Sequence, residues 1–308
     1  MRGIFLDGII IMDKPEDFTS FDMVAKLRRL LGTRKVGHAG TLDPMATGVL
    51  PIFVGRATKC CDLLPNSNKR YTAVFELGYT TDTLDATGRV LSRSEVKADR
   101  AQVEAVLEQF RGEIMQLPPM YSAIQINGKR LYDLARQGIE IEREKRPVTI
   151  TRLELLEETG IPNTYRIDVA CTKGTYIRTL CADIGEALGC GATMTALRRT
   201  EAAGFSLADS FTLEQAEQLA EQGKLTEQLL PLETVFASLP ELHLTGKQEM
   251  MYRNGVKLDL ERLEGYAPLR EVTGDLRVTG QDGFLGISYA DHEQGVLRTR
   301  KLFAIQPE

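Results

Sequence analysis

The chain has 308 residues, 43% of them hydrophobic, and a formal net charge of −5 at pH 7, which suits a soluble globular protein of one large domain or two unequal ones. The five cysteines form no C-x-x-C pair and there are three histidines, so zinc-type spacing is absent and we expect reduced, mostly buried thiols. No segment has the length and apolar character of a signal peptide or a membrane span, and we therefore expect a cytoplasmic protein.

The charges are unevenly spread along the chain. Residues 1–70 carry a surplus of four positive charges, residues 71–200 are nearly neutral, and residues 201–308 carry an excess of eight negative charges. An acidic protein still binds RNA when its basic residues share one face, because attraction to phosphate is local. Scattered solvated charges explain the counts equally well.

The first predicted elements are a helix, a loop and a strand. A helix is predicted over residues 20–31, with Ser20 as its cap, an apolar stripe that includes Phe21, and Gly32 at its end. Residues 37–51 contain three glycines and two prolines, which favour turns. The apolar run that follows, residues 49–54, predicts a buried strand.

Alternation and capping predict the next elements. Tyr71, Ala73, Phe75, Leu77 and Tyr79 alternate with other residues and predict one half-buried strand over residues 71–79. Residues 99–110 predict a helix capped by Asp99. Strands are predicted again at 148–156 and 164–172, and a helix at 175–188.

Residues 116–147 have few apolar positions and many turn formers and charges. Asn127-Gly128 is a strong hairpin signal within this segment. A basic excursion that clasps a polyanion and a plain surface insertion are both compatible with this composition.

Beyond residue 200 the chain becomes acidic. The sequence Thr212-Leu213-Glu214-Gln215 is a capping box that predicts a short helix, and Leu239-Pro240 indicates a boundary. The short apolar stretches of residues 241–308 are separated by Gly, Asn and Asp, which predicts a small β-rich domain.

Asp43 is the one carboxylate in the 37–51 loop. Pro44 keeps Asp43 out of the helical region, so the carboxylate has the fixed direction that a nucleophile or general base requires. Most turn aspartates only accept hydrogen bonds from nearby backbone amides, so the loop composition by itself leaves both roles open.

The string GHAGTLDPMATGVLPIFVGRATK, residues 37–59, resembles the catalytic motif of the TruB family, the bacterial tRNA pseudouridine-55 synthases. The resemblance covers residues 4–205 and includes further blocks: Asp13-Lys14-Pro15, Lys69-Arg70-Tyr71, Tyr121-Ser122-Ala123-Ile124, residues 173–180 and residues 195–200. It implies an α/β (α+β) pseudouridine synthase fold with a large mixed, mostly antiparallel sheet. It also implies a catalytic domain at 1–238, with an RNA-clasping insertion at about 116–147, and a C-terminal PUA-like domain at 239–308.

The resemblance also implies the roles of individual residues. Asp43 corresponds to the catalytic nucleophile, and Arg178 is expected to hold its carboxylate in place and keep it ionised. Tyr71 is expected to stack on the extruded uracil and to act in the late proton transfer. The implied substrate-binding residues are His38, Tyr176, Leu197 and Lys14, the last of which either supports the motif loop or contacts phosphate. Without the resemblance, core aromatics, a core leucine and surface cations are strong alternatives for these positions.

The implied reaction isomerises a uridine at position 55 of the tRNA T-loop, with tRNA as the partner and with no cofactor, metal or obligatory protein partner. The sequence agrees, since it has no P-loop, Rossmann fingerprint or metal-ligand spacing. Extruding the uridine costs a few kcal/mol, and stacking on an aromatic returns roughly 1–3 kcal/mol. Phosphate contacts from residues 126–146, Arg198 and Arg199 are expected to offset the rest.

Three alternatives are less well supported. A relative that needs a guide RNA is disfavoured because the chain has no long basic tail. A non-catalytic RNA-binding or RNA-folding protein is disfavoured by the intact Asp43, Tyr71 and Arg178. A hydrolase of small glycosides would need a second carboxylate as general acid, which the sequence does not indicate.

Overall fold

The computed structural model describes residues 6–126, 128–157, 159–281 and 283–304. The α-helices are α1 (Ser20–Leu30), α2 (Arg100–Leu107), α3 (Leu131–Ala135), α4 (Ile177–Ala187), α5 (Leu213–Glu221) and α6 (Gly246–Arg253). The strands are β1 (Gly8–Lys14), β2 (Val36–His38), β3 (Thr47–Val54), β4 (Lys69–Leu77), β5 (Tyr79–Thr81), β6 (Val90–Arg93), β7 (Gly112–Gln116), β8 (Gln125–Ile126), β9 (Lys129–Arg130), β10 (Arg146–Leu155), β11 (Thr164–Cys171), β12 (Ala192–Ala202), β13 (Phe205–Ser206), β14 (Glu241–His243), β15 (Leu258–Asp259), β16 (Asp275–Gly280), β17 (Gly283–Asp291) and β18 (Val296–Leu302).

Nine strands form one large sheet. Seven of them lie in the order β1-β3-β12-β4-β11-β10-β7, while β2 pairs with β3 and β13 pairs with β12. The pairs are antiparallel except that of β3 with β12, which confirms the mixed, mostly antiparallel sheet. Helices α2 and α4 share one buried apolar cluster with the sheet, and α1 and α5 share another.

Gly48 allows the close approach of β3 to β12. Its φ is +105°, and a Cβ at this position would lie 2.1 Å from the backbone oxygen of Arg199. No side chain fits there, so glycine is required for the parallel contact between the two strands. This contact brings the end of the Asp43 loop against β12, in the middle of the sheet.

Strand β4 alternates as predicted, with Tyr71, Ala73, Phe75 and Leu77 buried. The prediction that the strand continues to residue 79 was wrong. Gly78 has a φ of +98°, which breaks the extended backbone, and Tyr79 begins β5 instead.

Helix α1 differs from the prediction at its start. The cap is Thr19, which forms a capping box with Asp22, and not Ser20. The Ser20 hydroxyl instead accepts a hydrogen bond from the Leu42 amide at 2.9 Å and donates one to the Leu42 carbonyl at 3.3 Å. Phe21, predicted in the apolar stripe, is 67% exposed.

The segment between β7 and β10 leaves the sheet and returns to the same place. Gln116, at the end of β7, pairs with Arg146, at the start of β10. Between them the chain forms the β8–β9 hairpin and the short helix α3. Gly128 has the positive φ expected of the predicted turn, and Asn127 lies outside the described residues. Residues 117–145 are therefore an insertion at the edge of the sheet.

A second sheet of five strands, in the order β14-β16-β17-β18-β15, confirms the β-rich C-terminal part. It packs on the first sheet through stacked aromatic rings. The Phe236 and Phe284 centroids are 5.7 Å apart, those of Phe284 and Phe303 are 5.5 Å apart, and all three rings share an apolar cluster with β1 and β3. No helix in the described part of the chain is long and apolar enough to cross a membrane.

The contact between the two sheets leads to a prediction about stability. Phe236→Ala removes a fully buried ring and should lower the free energy of unfolding by about 3–5 kcal/mol. Phe21→Ala removes the same ring from an exposed position and should change it by about 0.5 kcal/mol or less. Urea denaturation of both variants measures the difference, and equal losses would contradict packing of the C-terminal sheet through this ring.

Candidate active site

A cavity of about 370 Å³ lies where the Asp43 loop, β4, β12 and the start of α4 meet. The insertion 117–145 forms one of its walls. The lining residues are Thr41, Leu42, Asp43, Lys69, Tyr71, Tyr121, Ser122, Ala123, Tyr132, Gly174, Thr175, Tyr176, Ile177, Arg178, Met194 and Leu197. Five of the seven residues implied by the family resemblance are therefore brought together, while His38 and Lys14 do not line the cavity.

Asp43 and Arg178 form an ion pair at this cavity. The distance from Arg178 Nη2 to Asp43 Oδ2 is 3.3 Å, the Arg178 side chain is 7% exposed, and that of Asp43 is 38% exposed. Arg178 Nη2 also donates to the Tyr121 carbonyl at 2.5 Å. The guanidinium is thus held by the insertion while it faces the carboxylate.

A second carboxylate, Asp85, lies on the other side of Arg178. The distance from Arg178 Nη1 to Asp85 Oδ2 is 3.4 Å, and the Asp85 side chain is 5% exposed. Asp85 Oδ1 accepts hydrogen bonds from the Thr83 hydroxyl at 2.8 Å, and from the Thr87 amide and hydroxyl at 3.0 and 2.5 Å. Asp85 does not line the cavity, so these bonds assign it to positioning Arg178 rather than to acid catalysis.

The environment of Asp43 changes its acidity. Burial raises the pKa of Asp43 above its ordinary value, the Arg178 guanidinium opposes this rise, the Asp85 carboxylate adds to it, and the Lys14 ammonium opposes it. A carboxylate with a raised pKa is a stronger base than a solvated one. Such a group suits a nucleophile or base.

Lys14 holds the loop that carries Asp43 through hydrogen bonds to backbone carbonyls. Its ammonium is fully buried and donates to the carbonyls of Pro15, Phe18 and Pro44 at 2.8, 2.6 and 3.0 Å. Burial lowers the pKa of Lys14 to about 8. Since all three donor hydrogens are engaged, the bonds favour the loop-supporting role of Lys14 over contact with phosphate.

Tyr71 and Tyr176 form part of the cavity wall. Tyr71 is buried, and burial raises the pKa of its phenol, while the Arg199 guanidinium opposes the rise. Tyr176 immediately precedes α4, and its backbone is fixed by the buried Gln116, whose amide accepts from Tyr176 N at 2.7 Å and donates to Tyr176 O at 3.0 Å. Leu197 on β12 completes the apolar lining. The cavity therefore offers aromatic and apolar surface to a flat base.

His38 lies in β2, outside the cavity lining, with its ring against Phe21. The two ring centroids are 5.9 Å apart and the planes meet at 84°. Burial and then Arg199 lower the pKa of His38, so the imidazole is neutral at neutral pH. Its Nδ1 is buried and has no hydrogen-bond partner among the described residues.

Asp85, Gln116 and Ser20 are the positioning residues that sequence reasoning missed. Each acts on a residue far away in the chain: Asp85 on Arg178, Gln116 on Tyr176 and Ser20 on Leu42. The run Thr81-Asp82-Thr83-Leu84-Asp85-Ala86-Thr87, rich in turn formers and hydroxyls, was the available signal for a bonded carboxylate. Within the described residues, no group of three or more His, Cys, Asp or Glu side chains could hold a metal ion.

Comparison with known proteins agrees with this geometry. Residues 28–177 match the family model described as TruB family pseudouridylate synthase (N terminal domain), and residues 178–237 match the tRNA pseudouridylate synthase B C-terminal domain. The protein named tRNA pseudouridine synthase B of Histophilus somni is 42% identical over 311 residues, 100% of this chain and 98% of that protein. The protein of the same name from Pseudomonas fluorescens is 46% identical over 301 residues, 96% of this chain and 95% of that protein.

The chain belongs to the TruB family of pseudouridylate synthases. A solved structure titled as a Cbf5-Nop10-Gar1 complex is also similar, with a TM-score of 0.75 and 26% identity over 98% of this chain and 86% of that chain. The pseudouridine synthase fold implied by the sequence is thus confirmed. The family models together cover residues 28–237, and the PUA-type assignment of residues 239–308 stays a prediction.

The Asp85–Arg178–Asp43 arrangement leads to a prediction about the pH dependence of activity in this TruB family member. Asp85→Asn removes a like charge, so the pKa of Asp43 should fall and the acid limb of kcat/KM should move to lower pH. Because Arg178 loses one support, kcat at neutral pH should fall by about 100-fold. Both effects are measured in a pH–rate profile.

A matched control is Asp168→Asn. Like Asp85, Asp168 is a buried carboxylate that pairs with arginine and does not line the cavity. Its partners are the guanidiniums of Arg70 at 2.7 Å and Arg152 at 2.6 Å. Its variant should leave the acid limb in place. If both variants shifted the limb equally, the assignment of Asp85 to the site would be wrong.

Proposed function

We propose that this chain converts a uridine in the T-loop of tRNA, at position 55, to pseudouridine. The observation that carries the proposal is the Asp43 carboxylate, held 3.3 Å from Arg178 at a cavity with aromatic and apolar walls. The chain is 42–46% identical to proteins named tRNA pseudouridine synthase B, which supports tRNA as the substrate.

The reaction needs one bond broken and one bond formed at the same ribose carbon. The Asp43 carboxylate forms a bond to C1′ as the N1–C1′ bond breaks, and the uracil turns within the cavity. C5 then bonds to C1′ as the bond between Asp43 and C1′ breaks, which returns the carboxylate. C5 then loses its proton and N1 gains one, so the product is an isomer of the substrate. No redox partner or group donor enters this balance.

Each cavity residue has a role in that sequence. Arg178 holds Asp43 ionised and directed at the ribose. Tyr71 stacks on the extruded uracil and takes part in removing the C5 proton, while Tyr176 and Leu197 bound the space in which the base turns. Lys14 fixes the loop that carries Asp43, as its three carbonyl contacts indicate.

We also propose two domains, residues 1–238 and 239–308, with the second of PUA type, and an RNA-clasping role for the insertion. The five-stranded sheet begins at Glu241, close to this boundary, which supports the division. The insertion supplies Tyr121 and Tyr132 to the cavity wall, so it is suitably placed to hold RNA around the target uridine. We propose that the enzyme acts on tRNA without a protein partner.

The function is tested with the pure protein and an unmodified tRNA transcript that carries tritium at C5 of its uridines. Wild type should release tritium from position 55, and Asp43→Asn should lower kcat by at least about 1,000-fold while tRNA affinity changes by about threefold or less. A transcript with cytidine at position 55 is the control. Turnover by Asp43→Asn within tenfold of wild type would contradict the nucleophile assignment.

The Phe21 and His38 rings give a second prediction. We propose that this pair contacts the RNA, because an exposed phenylalanine is suited to stack on a base. The preceding residue, Ser20, is hydrogen-bonded to Leu42 of the cavity lining. The chain contains no tryptophan, so Phe21→Trp creates a single fluorescent reporter. Its emission should be quenched on binding a T-arm RNA, and Phe21→Ala should weaken binding by about 5–100-fold.

Ile161→Trp is the matched control for this reporter. Ile161 is 63% exposed and precedes β11, whose other end, Cys171, pairs with Lys69 at the cavity. The strand separates the two ends by roughly 25 Å. Equal quenching at both positions would mean that Phe21 is not a specific contact.

A further inference from the structure

We propose that Lys69 binds the phosphodiester that joins the target uridine to its neighbour, at the boundary between the active-site cavity and a second cavity. The inference rests on the proposed function, since it assumes an RNA substrate whose target uridine enters the active-site cavity. Nothing in the family resemblance assigns a role to this lysine.

The second cavity has a volume of about 300 Å³ and lies next to the first. Lys69 lines both cavities. The other residues of the second cavity are Ala39, Gly40, Cys61, Asp62, Leu64, Asn66, Ser67, Lys173, Ala202 and Ala203. A strand of RNA that places one nucleotide in the first cavity passes Lys69 when it continues into the second.

The position of Lys69 in β4 directs it to this boundary. It is two residues before Tyr71, so the two side chains share one face of the strand. A Cβ placed on Gly40 would lie 3.2 Å from Lys69 Nζ and 3.4 Å from Arg199 Nη1. The two cations therefore converge on one point of the backbone, three residues before Asp43.

This pair of cations lacks a carboxylate partner among the residues that the structure describes. In the described parts of the chain, no carboxylate oxygen lies within 4.0 Å of the Lys69 ammonium or the Arg199 guanidinium. Arg199 is fully buried and donates to the carbonyls of Val49 at 2.7 Å and Gly40 at 3.0 Å, while Nη1 has no hydrogen-bond partner among the described residues. The Tyr71 phenol interacts with the guanidinium, but it is not a carboxylate. Buried cations are normally paired, so the arrangement indicates a place for an anion from outside the chain.

The second cavity offers positive charge and neutral hydrogen-bonding groups that suit a phosphate of RNA. Lys173 at the rim is exposed and positive, Asn66 and Ser67 are neutral hydrogen-bonding residues, and Asp62 is an exposed carboxylate on the same lining. Burial and then Arg199 lower the pKa of Lys69 to about 8, so at neutral pH most molecules carry the charge that a phosphodiester would bind.

The test uses T-arm stem-loop RNAs in which one phosphodiester at a time is replaced by an uncharged methylphosphonate. Wild type should lose affinity about 10–100-fold at one linkage that flanks the target uridine. On unmodified RNA, Lys69→Met should bind more weakly than wild type by a similar factor. Making that linkage neutral should not weaken the binding of Lys69→Met any further. Lys69→Arg, which keeps the charge, should restore most of the binding.

The salt dependence of binding gives a second readout that a purely structural role of Lys69 would not change. The slope of log affinity against log salt should become shallower by about one for Lys69→Met. Lys97→Met is the control, since that lysine is 81% exposed and pairs with Glu95 away from the cavity. Its slope and methylphosphonate profile should match those of wild type.

Two results would overturn the assignment. One is a wild-type scan without a loss at either flanking linkage, a measurement that needs no folded variant. The other is a loss of affinity from Lys69→Met that adds in full to the loss caused by the neutral linkage, since the two changes would then act on different contacts. Pseudouridine formation by wild type on unmodified RNA is measured in parallel, so that failure of the proposed function is distinguished from failure of the phosphate site.

Discussion

Arg178 interacts with two carboxylates that come from different parts of the chain, and the chemistry of the site depends on how the charge of its guanidinium is divided between them. One carboxylate, Asp85, is enclosed by hydroxyl and amide donors and serves as a fixed support. The other, Asp43, is partly open to the cavity. A buried guanidinium between two carboxylates neutralises only one of them, so Asp43 keeps a share of its charge and an incompletely satisfied environment. That state suits a nucleophile or a general base.

The cations around this centre have separate tasks. Lys14 donates to three carbonyl groups, and Arg178 pairs with two carboxylates. No carboxylate oxygen of the described residues lies within 4.0 Å of the Lys69 ammonium or the Arg199 guanidinium. The motif loop passes between these groups, since Gly40 contacts the last pair and Asp43 contacts Arg178. The same short loop therefore separates the part of the site that holds the Asp43 carboxylate from the part that holds the Lys69–Arg199 pair.

The sequence predicted features that depend on neighbours in the chain. The capping boxes at Asp99 and Thr212, the alternation of β4 as far as Leu77 and the glycine-dependent turns of the Asp43 loop are all local, and the structure contains them. Periodicity did not show that Phe21 is exposed, because it gives the faces of a helix but not what covers them. Asp85 and Gln116 act on residues 93 and 60 positions away, and pattern reasoning on one sequence does not detect such pairs.

The insertion that forms one wall of the cavity begins and ends at paired residues, Gln116 and Arg146. The distance between its ends is therefore set by the width of one strand pair and not by the segment itself. Segments of other lengths or sequences can occupy this place without moving any strand, so the wall of the cavity can change while the Asp43 carboxylate stays fixed. The insertion and the strands of the cavity can therefore change independently of each other in sequence.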